Sequence, residues 1–184
     1  ADIIKGMYLF KEGGKEKKKG MRVQLTGSGT ILREVIAAAD LLRNDWGVES
    51  DIWSAPSFNE LRRDGIDCER WNLLHPMDEP RVPHVAKCVM SKAGPVVAAT
   101  DYMRIYADSV RPYIKKTYKV LGTDGFGRSD SRENLRRFFE VNRFYVTVAA
   151  LTALADDGVI ERKVVADAIT KYGIDPNKPN PTTV

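Results

Sequence analysis

Cysteine is scarce in this chain: Cys68 and Cys88 are the two among 184 residues, and they do not share CxxC spacing. Two separated thiols argue against a disulfide framework and suit a reducing compartment, with both expected to be packed and inert. Histidine is equally rare. His75 and His84 flank a proline-rich stretch, without HExxH spacing or a neighbouring cysteine or carboxylate set, so a zinc site is not expected and each reads as a loop histidine. No apolar run approaches the length of a membrane span. No signal or transit pattern is visible either. The chain opens on Ala1-Asp2-Ile3-Ile4 and is almost at once in a strand-like pattern. An abrupt start without an initiator Met is expected of a piece cut from a longer protein.

Charge of one sign is not concentrated. Lys and Arg number 29 against 25 Asp and Glu, for a net charge of +4 and a pI near 9.0. The one basic run, Lys15 to Lys19, is interrupted by Glu16. Nucleic-acid binders gather their basic residues on one face, so no nucleic-acid partner is expected. The motifs of common phosphate and acyl chemistry are also missing. There is no GxSxG elbow around Ser28, Ser57 or Ser129. Gly27-Ser28-Gly29 is followed by Thr30, Ile31 and Leu32, which is not GxGxxG, and Glu49 stands at the start of the following strand rather than its end. No lysine lies between Lys119 and Lys163, which excludes a Walker A loop in the glycine-rich stretch GTDGFGRSDSRENLRRFF at 122–139.

What is present is the patterning of one α/β domain over residues 1–184. Apolar residues make up 43% and charged residues 29%, enough to bury a substantial core. Strand patterns fall at 3–11, 21–26, 48–55, 95–100 and 118–121, and the first two are expected to pair as an antiparallel hairpin. Helical spacing runs from Ile31 to Trp46, closed by Gly47. Ser57 and Glu60 spell a capping box for a second helix. Residues 74–83 read as a loop, 85–90 as a short helical turn, and 102–113 as helical. Asp130, with Glu133 at the third position, is placed to cap a helix, and Asn142 a further one through about Ala155. The last helix spans 161–172, and DPNKPNPTTV is irregular. Strands alternating with helices give a three-layer α/β/α fold: a five-stranded, mostly parallel sheet with one antiparallel strand.

Parallel crossovers collect four loops at the carboxyl edge of such a sheet: 27–29, 55–57, 100–101 and 122–129. Ser28, Asp124, Phe126, Arg128, Ser129 and Arg132 are the candidate contacts there. The glycines and guanidinium groups suit an anion held at a helix N-terminus, or carboxylates across an interface. They equally suit tight turns without any ligand. Phe126 is expected to pack beneath the glycines, and Arg128 with the arginines after it to face a neighbouring domain or subunit. Phe138, Phe139, Phe144 and Tyr145 look excessive for one helix pair, so some are expected against a partner. In DGIDCERWN (64–72), Arg70 and Trp71 are residue types that anchor interfaces, although Trp71 could instead belong to the core.

The phrases DGIDCERWNLLHP (64–76), TDYMRIYADSVRPYI (100–114), YKVLGTDGFGRSDSRENLRRFFEVN (118–142) and VVADAI (164–169) resemble the C-terminal domain of the homodimeric bacterial pyruvate dehydrogenase family, from about Ile4 onward. The family is thiamine-diphosphate-dependent and transketolase-like. Its members are much longer and built of three α/β domains. The resemblance implies a fold like the transketolase C-terminal domain. It also implies a bacterial cytoplasmic oxidoreductase that decarboxylates pyruvate and reductively acetylates a lipoyl group. Thiamine diphosphate and Mg²⁺ belong to the first two domains of such a subunit. Their signature, GDG followed at a distance by NN, is absent here, so no catalytic, cofactor-binding or metal residue is carried onto this sequence. The implied partners are the other domains of the same subunit, a homodimer mate and the dihydrolipoyl acetyltransferase core. The implied role is structural and assembling. A self-contained anion or phosphate site using 27–29 and 122–129 is the alternative.

Overall fold

The computed structural model describes residues 2–184. Five strands form one sheet in the order β1-β3-β2-β4-β5: β1 (Tyr8–Lys11), β2 (Arg22–Gly27), β3 (Glu49–Ser54), β4 (Val96–Ala99) and β5 (Tyr118–Leu121). The last four are mutually parallel and β1 is antiparallel. Strand alternation sends Val23, Leu25, Ile52, Val97 and Ala99 to one face, and Trp53, Val96, Ala98, Tyr118 and Val120 to the other. Helices α1 (Leu32–Trp46), α6 (Arg143–Asp156) and α7 (Arg162–Lys171) cover the first face. Helices α2 (Phe58–Leu74), α3 (His84–Met90) and α4 (Arg104–Asp108) cover the second. The three-layer architecture expected from the sequence is the one found.

The expected hairpin is not formed. β1 pairs with β3, Tyr8 opposite Ser54 and Leu9 opposite Trp53, while β2 lies parallel on the far side of β3. Buried carboxylates explain the detour. Asp51, 1% exposed, accepts from Gly13 N at 2.9 Å, Arg22 Nη1 at 2.7 Å and Gln24 Nε2 at 2.8 Å. Glu49 accepts from Gly14 N at 2.8 Å. A buried carboxylate must be satisfied, and the loop after β1 supplies donors by crossing the end of β3 instead of turning back. Gln24 also accepts from Trp53 Nε1 at 2.8 Å, which extends the network along the same face of the sheet to Trp53.

Helix boundaries follow local chemistry, with small displacements. Ser57 Oγ accepts from Glu60 N at 3.1 Å at the start of α2, and Gly47 takes φ 65° at the end of α1. The stretch expected to be helical at 102–113 divides into α4 and a 3₁₀ turn at Arg111–Tyr113. Helix α5 (Arg132–Phe138) is capped by Ser131, whose Oγ accepts from Asn134 N at 3.2 Å. Asp130, the expected cap, sits one residue earlier and buttresses it, accepting from Ser131 N at 2.6 Å and Asn134 Nδ2 at 2.9 Å. Residues 132–156 contain a window with a mean hydropathy of 1.2, the one stretch long and apolar enough for a membrane span among the described residues. They form two helices, broken where Glu140 takes φ 62° and Asn142 caps α6. Ala150, Leu151 and Leu154 of α6 are core residues, which accounts for the hydropathy.

The α5–α6 junction is tied to the sheet through one carboxylate. Glu34, in the first turn of α1 and 5% exposed, accepts from Arg136 Nη1 at 2.9 Å and from Arg143 N, Nε and Nη2 at 2.9, 3.0 and 3.2 Å. Burial by itself raises the pKa of this group. The hydrogen bonds from Arg143, with the charges of Arg143 and Arg136, outweigh burial and hold it below the ordinary 4.5.

Two expected outcomes follow from this packing. Gly65, inside α2, faces Tyr113, and a Cβ there would lie 2.1 Å from Cε2 of that ring. The ring is held at its hydroxyl by Arg62 at 2.7 Å and Glu69 at 3.0 Å. Helix propensity alone would make Gly65→Ala stabilising by about 1 kcal/mol. Overpacking costs about 1–3 kcal/mol, and a contact this short should win. Urea denaturation should show a net loss near 2 kcal/mol; a gain would mean that α2 and Tyr113 separate at little cost. Glu34→Gln should cost about 3 kcal/mol, because two guanidinium groups lose their counter-charge. The folded pKa of Glu34 is depressed, so its stabilisation is present above pH 4.5 and is lost as the pH falls through the folded value. Denaturation curves between pH 7 and 3 should therefore be flatter for Glu34→Gln than for the unsubstituted chain.

Candidate functional site

In this strand order the chain leaves β2 toward β3 on one side, while β4 lies on the other. The crevice between the carboxyl ends of β2 and β4 is thus the position where open α/β sheets receive ligands. The four loops expected at this edge do meet there. Ser28, Pro56, Ser57 and Thr100 share a cavity of about 290 Å³ with Tyr102 and Tyr106. Thr30, Asp101, Thr123 and Phe126 border a second, of about 600 Å³.

The crevice itself is closed by the chain's own groups. Ser28 N donates to Ala99 O at 3.1 Å, and Thr30 Oγ1 donates to Asp101 Oδ2 at 3.1 Å across the gap. Asp101 also lies against Gly29, where an added Cβ would be 3.4 Å from its Oδ1. A carboxylate therefore stands where an incoming anion would have to sit, and like charges repel. The 3₁₀ turn Gly29–Ile31 accounts for the glycines: Gly29 takes φ 55°, and a Cβ on Gly27 would lie 2.7 Å from Leu32 Cα.

The loops after β4 and β5 are cross-linked. Thr123 N donates to Tyr102 O at 2.9 Å, Thr123 Oγ1 to Asp101 O at 2.7 Å, and Arg104 N to Asp124 Oδ1 at 3.0 Å. Asp124 is thus occupied in joining two loops, with the Arg104 guanidinium a further 3.8 Å contact. The C-terminal tail holds the next turn. Gly125 takes φ 109°, and a Cβ there would lie 2.3 Å from Pro181 O. Lys178 Nζ donates to Phe138 O at 2.7 Å and to Glu140 Oε1 at 2.9 Å. The tail is irregular, as its composition suggests, yet fastened at both positions.

Phe126 does not pack beneath the glycines. It is 77% exposed. The Arg128 guanidinium lies over the Phe138 ring at 4.5 Å, a cation–π contact within the chain. Phe126, Arg128 and Arg132 line the larger cavity, Ser28 the smaller one, and Ser129 an adjoining hollow. The six candidate residues therefore occupy one edge without converging on a single point. The four aromatic residues expected against a partner are half-buried within the chain. Phe138 meets Phe139 edge-to-face at 5.0 Å, Phe144 meets Tyr172 at 5.1 Å, and Lys178 lies 5.9 Å from the Tyr145 ring.

Tyr102 and Met103, on the loop after β4, and Ile105, in the first turn of α4, which motif reading passed over, are 65%, 51% and 62% exposed. The signal for them lies in topology: large apolar residues at a switch-point loop and the start of the helix that follows it. Trp71 is not a core residue. It is half-buried, stacked on His75 at 4.4 Å and covered by the Arg81 guanidinium at 4.3 Å. Neither thiol is activated. Burial raises the Cys68 pKa and pushes Cys88 up to about 11, which leaves both protonated at neutral pH. Among the described residues, no three His, Cys, Asp or Glu side chains converge to hold a metal ion.

Comparison with known proteins agrees with this architecture. Residues 6–142 match the transketolase-like TK C-terminal domain. The chain is 63% identical over 183 residues to the pyruvate dehydrogenase E1 component of Cupriavidus necator, covering 100% of this chain and 20% of that protein. It is 58% identical over 182 residues to the protein of the same name from Escherichia coli K12, covering 97% of this chain and again 20% of the relative. The chain thus spans about one fifth of the length of these curated relatives. Among solved structures, the transketolase of Campylobacter jejuni aligns over 83% of this chain and 19% of its own, with a TM-score of 0.52 and 18% identity. An inactive β4 tetramer of a split-gene transketolase aligns over 83% of this chain and 43% of its own, with a TM-score of 0.54 and 16% identity. Those likenesses concern the fold. On the strength of the 6–142 match, the chain belongs to the transketolase-like C-terminal domain family.

Proposed function

We propose that this chain is the C-terminal assembly domain of a pyruvate dehydrogenase component, which decarboxylates pyruvate and reductively acetylates the lipoyl group of a dihydrolipoyl acetyltransferase core in the bacterial cytoplasm. The observation that carries this reading is the 63% identity over 100% of the chain to a pyruvate dehydrogenase E1 component of which it spans 20%. In this reading the domain does no chemistry itself. It adds a rigid edge to a larger homodimeric subunit whose other domains hold thiamine diphosphate and Mg²⁺.

The residues present do not fit that cofactor. A diphosphate–Mg²⁺ site needs converging oxygen ligands, and the carboxylates at the carboxyl edge are already engaged. Asp101 accepts from Thr30, Asp124 from Arg104 N, and Asp130 from Ser131 N and Asn134 Nδ2. The Asp130 pKa lies below its ordinary value through its bonds to Asn134 and Ser131, as suits a carboxylate serving a helix cap. The same observations weigh against a self-contained phosphate site: Asp101 fills the crevice, and Arg136 is committed to Glu34.

Isothermal titration of the 184-residue chain with thiamine diphosphate and Mg²⁺ should give no binding heat up to millimolar ligand, and the chain should not turn over pyruvate. Micromolar binding would overturn the non-catalytic reading.

A further inference from the structure

We infer that the ridge formed by Tyr102, Met103, Ile105 and Phe126 is the surface through which this domain docks onto the preceding domains of its own subunit. The inference rests on the reading above, because it takes its occupant from the four fifths of the relatives that this chain does not span.

Three large apolar surfaces lie open on the domain. One is at Ile3, Ile4 and Phe10, a second at Leu73, Leu74 and Met77, and the third is the ridge. What sets the ridge apart is preorganisation and shape. Its side chains stand on the loops after β4 and β5 and on the first turn of α4, and these are locked together by the bonds from Thr123 N, Thr123 Oγ1 and Arg104 N. Loops already ordered lose little entropy on docking. Phe126 borders the 600 Å³ cavity and Tyr102 the 290 Å³ one, so a knob is flanked by hollows that can receive a partner's side chains. Exposed aromatic, Met and Ile side chains rimmed by Arg104 and Arg128 match the composition of a domain interface. The loops with helix α5 also leave residues 125–134 exposed without interruption, a long uncovered stretch for a segment so firmly fastened.

Methionine oxidation footprinting tests this with an internal control, because Met103 is 51% exposed on the ridge and Met77 is 95% exposed on the α2 side. Hydrogen peroxide would be applied to the 184-residue chain and to the complete subunit that carries it. Met103 should oxidise at least about tenfold more slowly in the complete subunit, with Met77 changed by less than about twofold. In the complete subunit, Phe126→Ser should restore at least half of the lost Met103 rate; Phe126 is 77% exposed, so folding is not at issue. Equal Met103 rates in the two proteins would overturn the inference. Protection of Met77 alone would also overturn it, leaving the assembly reading standing with docking through α2; protection of neither would remove both. Protection of Met103 that appears on concentrating the 184-residue chain alone would assign the ridge to a second copy, and the inference would fall.

Discussion

The four hydrogen bonds that converge on Glu34 govern the functional edge of this domain. Helix α5 contains no buried residue, and it spans only Arg132–Phe138. Such a helix is too short to persist on its own propensity. It is held at one end by Ser131 and Asp130, and at the other by Lys178 on the Phe138 carbonyl. Between them, Arg136 reaches the Glu34 carboxylate that also binds Arg143 at the first residue of α6. One buried charge therefore orients two helices relative to α1 and so relative to the sheet. Hydrophobic burial, which fixes α1 and α6, does not reach α5.

That division matters for what the edge can do. The crevice between β2 and β4 is the customary ligand position of the fold, yet Thr30 and Asp101 bridge it. The residues that would have made a phosphate cradle are committed elsewhere: glycines to close backbone approaches, Asp130 to a cap, Arg128 to the Phe138 ring and Arg136 to Glu34. Among the groups that remain outward are Tyr102, Met103, Ile105 and Phe126. Exposed apolar side chains on ordered loops suit contact with protein.

Much of the fold was legible from sequence, because it rests on local periodicity and punctuation. The last four strands, the helix ended by Gly47, the Ser57 cap and the Asn142 cap all stand where pattern places them; the first strand, expected over 3–11, is confined to Tyr8–Lys11, with residues 2–6 in turns. The partner of β1 was not legible. It depends on Asp51 and Glu49 drawing Gly13 and Gly14 across the end of β3, a contact between residues 35 or more positions apart. The cap at α5 missed by one residue because Asp130 and Ser131 are both competent caps, and side-chain geometry decides between them. The candidate site was legible as a place, the carboxyl edge, through topology alone. Its character was not, because the arginines and glycines that suggested anion binding are engaged by partners distant in sequence.

The central claim is that Glu34 and Arg143 act together to hold the α5–α6 junction. A double-mutant cycle on chemical stability, with Glu34→Gln, Arg143→Met and the pair, measures that directly. The account predicts a coupling energy of about 1–3 kcal/mol between the two sites. Additive effects, with coupling indistinguishable from zero, would contradict it and leave α5 to be explained by packing alone.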